Sequence, residues 1–146
     1  MQNVFMRKLR IYPIEYIRSY SKVKIIINEL NVHIFILGFI MNDQAEKVLD
    51  LVDQMKVKPD QYNLTMIFSA CAKVKNARAK AIGIKLFDTM PNHFKTDVIL
   101  LNAALNMLIS IDEIDRAEIL FNSIKRKDVV SYGALLKGKQ LFSKEK

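Results

Sequence analysis

Apolar and polar positions along this chain fall into blocks of helix length, alternately almost wholly apolar and striped. Residues 98–109, VILLNAALNMLI, interrupt their apolar side chains only with Asn102 and Asn106, which sit four apart on one helix face. In the block that follows, Ile114, Ala117, Leu120, Phe121 and Ile124 recur at helical spacing, while Glu113, Asp115, Arg116, Glu118 and Lys125 face the other way. Between them Ser110-x-x-Glu113 has the form of a capping box, in which a hydroxyl and a carboxylate satisfy amide protons at a helix start. The pattern predicts a helical hairpin with a buried first helix and an amphipathic second one.

A single hairpin of this kind cannot cover its own apolar helix, and the chain supplies copies that could. Residues 117–124, AEILFNSI, match residues 83–90, GIKLFDTM, and more loosely residues 48–55, VLDLVDQM. Each copy is followed by an aspartate, Asp60, Asp97 or Asp128, and then by a new apolar stretch; the aspartates are 37 and 31 residues apart. Aligned on them, His33, Thr65, Asn102 and Gly133 occupy one column. The expectation is an all-α fold, an α-solenoid of antiparallel hairpins with about three and a half repeats.

In chain order, residues 29–60 read as the first hairpin, turning at Asn42-Asp43, and residues 61–97 as the second. The second copy is the longest. Three extra residues fall around residues 76–80, which predicts a basic extension between its helices. Residues 98–128 form the third hairpin, and residues 129–146 begin a fourth, expected to be either a capping helix or part of a longer array. Residues 21–28 lead in to the repeats. Residues 1–20 resemble a mitochondrial targeting segment: Arg7, Lys8, Arg10 and Arg18 stand against the single acid Glu15, and Arg18-Ser-Tyr before Ser21 looks like a matrix processing site. Pro13 and Glu15 run against that pattern, and the plainer reading is a basic capping helix.

Composition adds two limits. The hydrophobic content of 51% in 146 residues supports a folded core. The longest apolar run, residues 34–41, is far short of the roughly 20 residues that span a bilayer, so no membrane partner is expected. One cysteine, Cys71, excludes an intramolecular disulfide and fits a reducing compartment. The net charge of +8 lies mostly at the two ends, but Lys73, Lys75, Arg78, Lys80 and Lys85 form a run without an acid. That run is a candidate patch for phosphates or a solvated connection between helices.

The third copy, closing on Lys127-Asp128 and restarting with Val129-Val-Ser-Tyr-Gly-Ala-Leu-Leu, resembles the pentatricopeptide repeat proteins of mixed, plant-type repeat length. The resemblance covers residues 29–138. It implies a right-handed superhelix whose first helices line a groove for single-stranded RNA, one base per repeat, read by two side chains. Carried onto this chain, the reading pairs are His33 with Asp60, Thr65 with Asp97, and Asn102 with Asp128. Thr with Asp implies guanine and Asn with Asp implies uracil; His33 departs from the usual residue types, leaving its base unassigned. Leu30, Tyr62, Ile99 and Val130 fall where side chains sandwich the bases. A plainer role exists for each polar residue: the aspartates suit helix N-caps, and Thr65 and Asn102 can bond local backbone.

No catalytic set is visible, and neither a cofactor nor enzymatic activity is expected. Asp112, Glu113, Asp115 and Glu118 suit a helix start, and His33 and His93 with one cysteine make no zinc set. The function expected from the resemblance is sequence-selective RNA binding as an adaptor in organellar RNA processing, modification or stability, in the mitochondrial matrix. Other proteins or further repeat units are additional expected partners, because three bases alone define no unique site. The alternatives are a helical scaffold for protein binding and a fragment of a longer repeat protein.

Overall fold

A computed structural model describes residues 29–143, with side chains from residue 32 to residue 140. The proposed targeting segment and lead-in lie outside the described residues. Among the described residues seven α-helices follow one another: α1 (Glu29–Met41), α2 (Ala45–Gln54), α3 (Gln61–Val74), α4 (Ala77–Asp88), α5 (Val98–Ser110), α6 (Ile114–Ser123) and α7 (Val129–Ser143). A short 3-10 helix, Asn92–Thr96, precedes α5. No strand occurs among the described residues.

Local chemistry sets these boundaries. Asp60 accepts the Asn63 amide at 2.7 Å, and Asp97 accepts those of Ile99 and Leu100, so each aspartate satisfies donors that the first helical turn leaves open. The hairpin turns share one device. Asp43, Lys75 and Asp112 adopt left-handed backbone, with φ of 54°, 56° and 63°. Each lies 14 residues after the start of its first helix, and each second helix starts 16 residues after the first.

The extra length of the second copy forms no loop. No residue is inserted between α3 and α4: residues 77–80 make the first turn of α4, capped by Asn76 through the Ala79 amide at 2.8 Å, and the extra length lies in α4 itself, 12 residues against 10 in α2 and α6, and in Asn92–Thr96. The expected basic extension is thus a helical turn, because Asn76 offers a cap and the alanines favour helix. The expected capping box is also absent. Ser110 ends α5, while the Glu113 carboxylate forms ion pairs with Lys80 at 2.9 Å and Arg116 at 3.4 Å. Two cations compete for that carboxylate more strongly than a backbone amide does.

Stacking follows the repeat. Each first helix packs on both helices of the preceding hairpin: α3 on α1 and α2, α5 on α3 and α4, α7 on α5 and α6. The shared core runs through Ile67 and Phe68 of α3, Leu105 and Leu108 of α5, and Ala117 and Leu120 of α6. The second helices stay amphipathic, joined at the surface by ion pairs. Arg78 of α4 reaches Asp50 at 2.6 Å and also Asp53, both on α2, and Arg116 of α6 reaches Asp88 of α4. The first helices therefore carry the apolar core, and the second helices carry a charge ladder.

The last helix differs in one respect. Leu64, Phe68, Leu101 and Leu105, four and eight residues after their aspartates, are buried, and α3 and α5 are each followed by a further packed hairpin or helix. At the same positions of α7, Tyr132 is 59% exposed and Leu136 60%. No helix of the described residues is long and apolar enough to cross a membrane.

Candidate nucleic-acid interface

Two columns of side chains meet where α3, α5 and α7 begin. The residue two places after each aspartate is large, apolar and exposed: Tyr62 is 63% exposed, Ile99 73% and Val130 61%. Single exposed apolar residues are ordinary, but three at one repeat position make a row of faces against which flat bases can lie. Leu30 belongs to the same position of α1, where side chains fall outside the described residues.

The second column lies three residues further on. Asn102 is only 8% exposed, and its amide nitrogen donates to both Asp128 carboxylate oxygens, at 3.0 and 3.2 Å. Its amide oxygen accepts from the Ser131 hydroxyl at 2.6 Å. The orientation is chemically enforced, since a carboxylate only accepts and must face the amide NH2 group. The Ser131 hydroxyl also lies 3.0 Å from Asp128, but it carries one proton, and the shorter contact to Asn102 takes it.

Asp128 is held as an anion. The Ser131 backbone amide, donating at 2.9 Å, keeps its carboxyl below the ordinary value; desolvation partly opposes this, and Asn102 and the Val130 amide add to it. Cys71 behaves oppositely: burial pushes its thiol up to about 12, which leaves it protonated and inert.

The other two pairs are arranged differently. Thr65 donates its hydroxyl to the Gln61 carbonyl at 2.8 Å, while Asp97 caps α5. His33, half-buried, pairs through Nδ1 with the Asn63 carboxamide oxygen at 3.3 Å, while Asp60 caps α3. Direct contact within a pair thus occurs only at Asn102 and Asp128 among the described residues. Gly133 offers no side chain in the fourth copy, and the space around it is open.

The basic run is not a free cationic field. Arg78 and Lys80 are committed to the Asp50/Asp53 pair and to Glu113, and Lys73 lies 3.8 Å from Asp43. Lys75 occupies the α3–α4 turn, and Lys85 is exposed on α4. Lys73 also sits about 16 Å along α3 from Tyr62, at 1.5 Å per residue, so that end of the run does not adjoin the two columns, whereas Lys85, in the last turn of the returning α4, lies toward Lys58 and Pro59. Its alternation with acids appears only when hairpins stack, because the acids belong to other repeats.

Two residues absent from the sequence-based set enter the site. Asn63 and Ser131, both buried, contact His33 and Asn102 of the preceding copy. The signal for them is a polar residue three places after the aspartate, where the remaining copy has Leu100.

The arrangement defines a helical-repeat solenoid with an apolar and a polar column at the starts of its first helices. No family model matches the chain. Among curated proteins of Arabidopsis thaliana, it is 30% identical over 97 residues to a putative mitochondrial pentatricopeptide repeat-containing protein, covering 64% of this chain and 16% of that protein. It is 30% identical over 110 residues to a chloroplastic pentatricopeptide repeat-containing protein, covering 73% of this chain and 12% of the relative. A third protein so named is 30% identical over 117 residues, covering 77% of this chain and 17% of the relative. The chain therefore spans less than a fifth of the length of these relatives. It belongs to the pentatricopeptide repeat proteins, a family that generally binds RNA.

Proposed function

We propose that the chain binds single-stranded RNA sequence-selectively, with the starts of its first helices each facing one base. The observation that carries this reading is the Asn102–Asp128 pair, a fixed amide on a carboxylate, flanked in sequence by the exposed Ile99 and Val130. An amide held in one orientation presents a defined hydrogen-bonding edge, and apolar faces on either side exclude water from it. Asn102 with Asp128 reads uracil and Thr65 with Asp97 reads guanine. His33 with Asp60 contributes a third contact of unassigned base, and Leu30, Tyr62, Ile99 and Val130 sandwich the bases. The serving role is that of an adaptor in organellar RNA processing, modification or stability, with chemistry supplied by partners. The basic, acid-poor residues 1–20 support a mitochondrial matrix address, and the names of the relatives, mitochondrial and chloroplastic, support an organellar one.

The test is binding of the chain to short labelled RNAs with and without guanine followed by uracil, at two salt concentrations. Base-dependent affinity that persists at the higher salt is expected. Affinity that ignores sequence and vanishes with salt would reduce the interaction to phosphate attraction, and no binding at all would favour a protein-binding scaffold.

A further inference from the structure

We propose that Ser131 and Asn63 are positioning residues, each fixing the base-facing side chain of the repeat before it; this rests on the RNA reading above. Both lie three residues after a linker aspartate, in the first turn of a first helix. Both are buried, at 0% and 2% exposure, so water does not compete for their hydrogen bonds. Ser131 reaches back 29 residues to the Asn102 amide oxygen at 2.6 Å, and Asn63 reaches back 30 residues to His33 Nδ1 at 3.3 Å. One repeat thus orients the reader of another.

The third instance is a natural control. Leu100 holds the same position between them and offers no hydrogen bond, and the reader it follows, Thr65, turns its hydroxyl onto its own helix at Gln61. A polar residue at this position accompanies anchoring between repeats, and an apolar one accompanies anchoring within the helix.

The consequences differ by reader. The Asn102 amide is clamped at both ends, NH2 on Asp128 and oxygen on Ser131, which leaves one N–H and one oxygen lone pair for a base. A clamped amide favours one order of donor and acceptor along the base edge, which separates uracil from cytosine; a loosened amide serves either less selectively. At His33, the Asn63 oxygen lies 3.3 Å from Nδ1, which holds the ring by one edge and leaves Nε2 for a base.

The experiment uses the full chain and two RNAs differing only in uracil or cytosine opposite Asn102, with affinity read by fluorescence anisotropy. Wild type should prefer uracil. Ser131→Ala should lower that preference several-fold by weakening uracil binding alone, Ser131→Thr, which keeps the hydroxyl, should restore it, and Asn102→Ala should abolish it. A variant that merely loosens the fold weakens both RNAs together and leaves their ratio intact. An unchanged ratio in Ser131→Ala, with the ratio lost in Asn102→Ala, overturns the positioning role while base reading stands. Absence of any preference in wild type overturns both.

Discussion

Asn102 and Asp128, 26 residues apart, meet as amide and carboxylate, and the Asp128 carboxyl also receives the Ser131 amide at the start of α7. One anion thus ties the end of the third hairpin to the helix that follows it. Its folded-state value lies below the ordinary one, chiefly through the Ser131 amide, whereas the unfolded chain titrates at about 3.9. A depressed carboxyl contributes stability that is present above the unfolded value and is lost as pH falls through the folded value. Thermal melts of wild type and Asp128→Asn should therefore differ most near neutrality and converge in acid, below about pH 4. A gap constant across that range would contradict the assignment.

Arg78 tests whether the basic run serves RNA or the fold. It spans Asp50 and Asp53 across 28 and 25 residues, and both acids hold its guanidinium firmly protonated, Asp53 first. Arg78→Gln should lower stability slightly, by an amount that shrinks with added salt, because the pair is solvent-exposed. The salt dependence of RNA affinity should stay as in wild type. A shallower dependence in the variant would return Arg78 to the RNA interface.

Much of the fold was legible because burial imposes helical periodicity on each hairpin and the linker aspartates mark each restart. The apolar run of residues 98–109 lies in α5, and the striped block that follows it is α6. The failures share a cause. Ser110 and Glu113 have the spacing of a capping box, yet Glu113 answers to Lys80 of another hairpin. Arg78 reads as part of a cationic run because its acids lie 25 and 28 residues away. Asn63 and Ser131 look like stray polar residues in apolar helices until stacking brings them to His33 and Asn102. Contacts between repeats are set by stacking geometry, which a one-dimensional pattern does not carry.

Lys75 turns the second hairpin with φ 56°, a conformation crowded for any residue with a Cβ. Lys75→Gly should remove that cost and stabilise the chain by up to about 1 kcal/mol, whereas glycine in a helix interior loses a similar amount. Chemical denaturation should show a higher midpoint with an unchanged slope.

Two glycines give opposite expectations. A Cβ at Gly83 would lie 2.3 Å from Met107 Sδ, so alanine fits there only if the buried Met107 side chain moves aside. Gly133 meets nothing within 4 Å. Gly83→Ala should destabilise by about 1–3 kcal/mol through overpacking, and Gly133→Ala should stabilise by about 1 kcal/mol through helix propensity. Equal effects in denaturant melts would mean that Met107 gives way to the new methyl at no cost.

Leu105 and Leu136 hold the same place in their repeats, eight residues after Asp97 and Asp128, and differ in burial. Leu105 is wholly buried on α5, against which α7 packs, and Leu136 is 60% exposed on α7. Truncating a buried leucine removes its transfer energy and leaves a cavity, so Leu105→Ala should cost about 2–5 kcal/mol. Leu136→Ala loses little burial and should stay within about 0.5 kcal/mol. If a hairpin of the same geometry is joined after α7, the two substitutions should become alike, because Leu136 then takes the place that Leu105 holds. A persistent difference in that extended chain would mean that α7 does not present the stacking face of the earlier repeats.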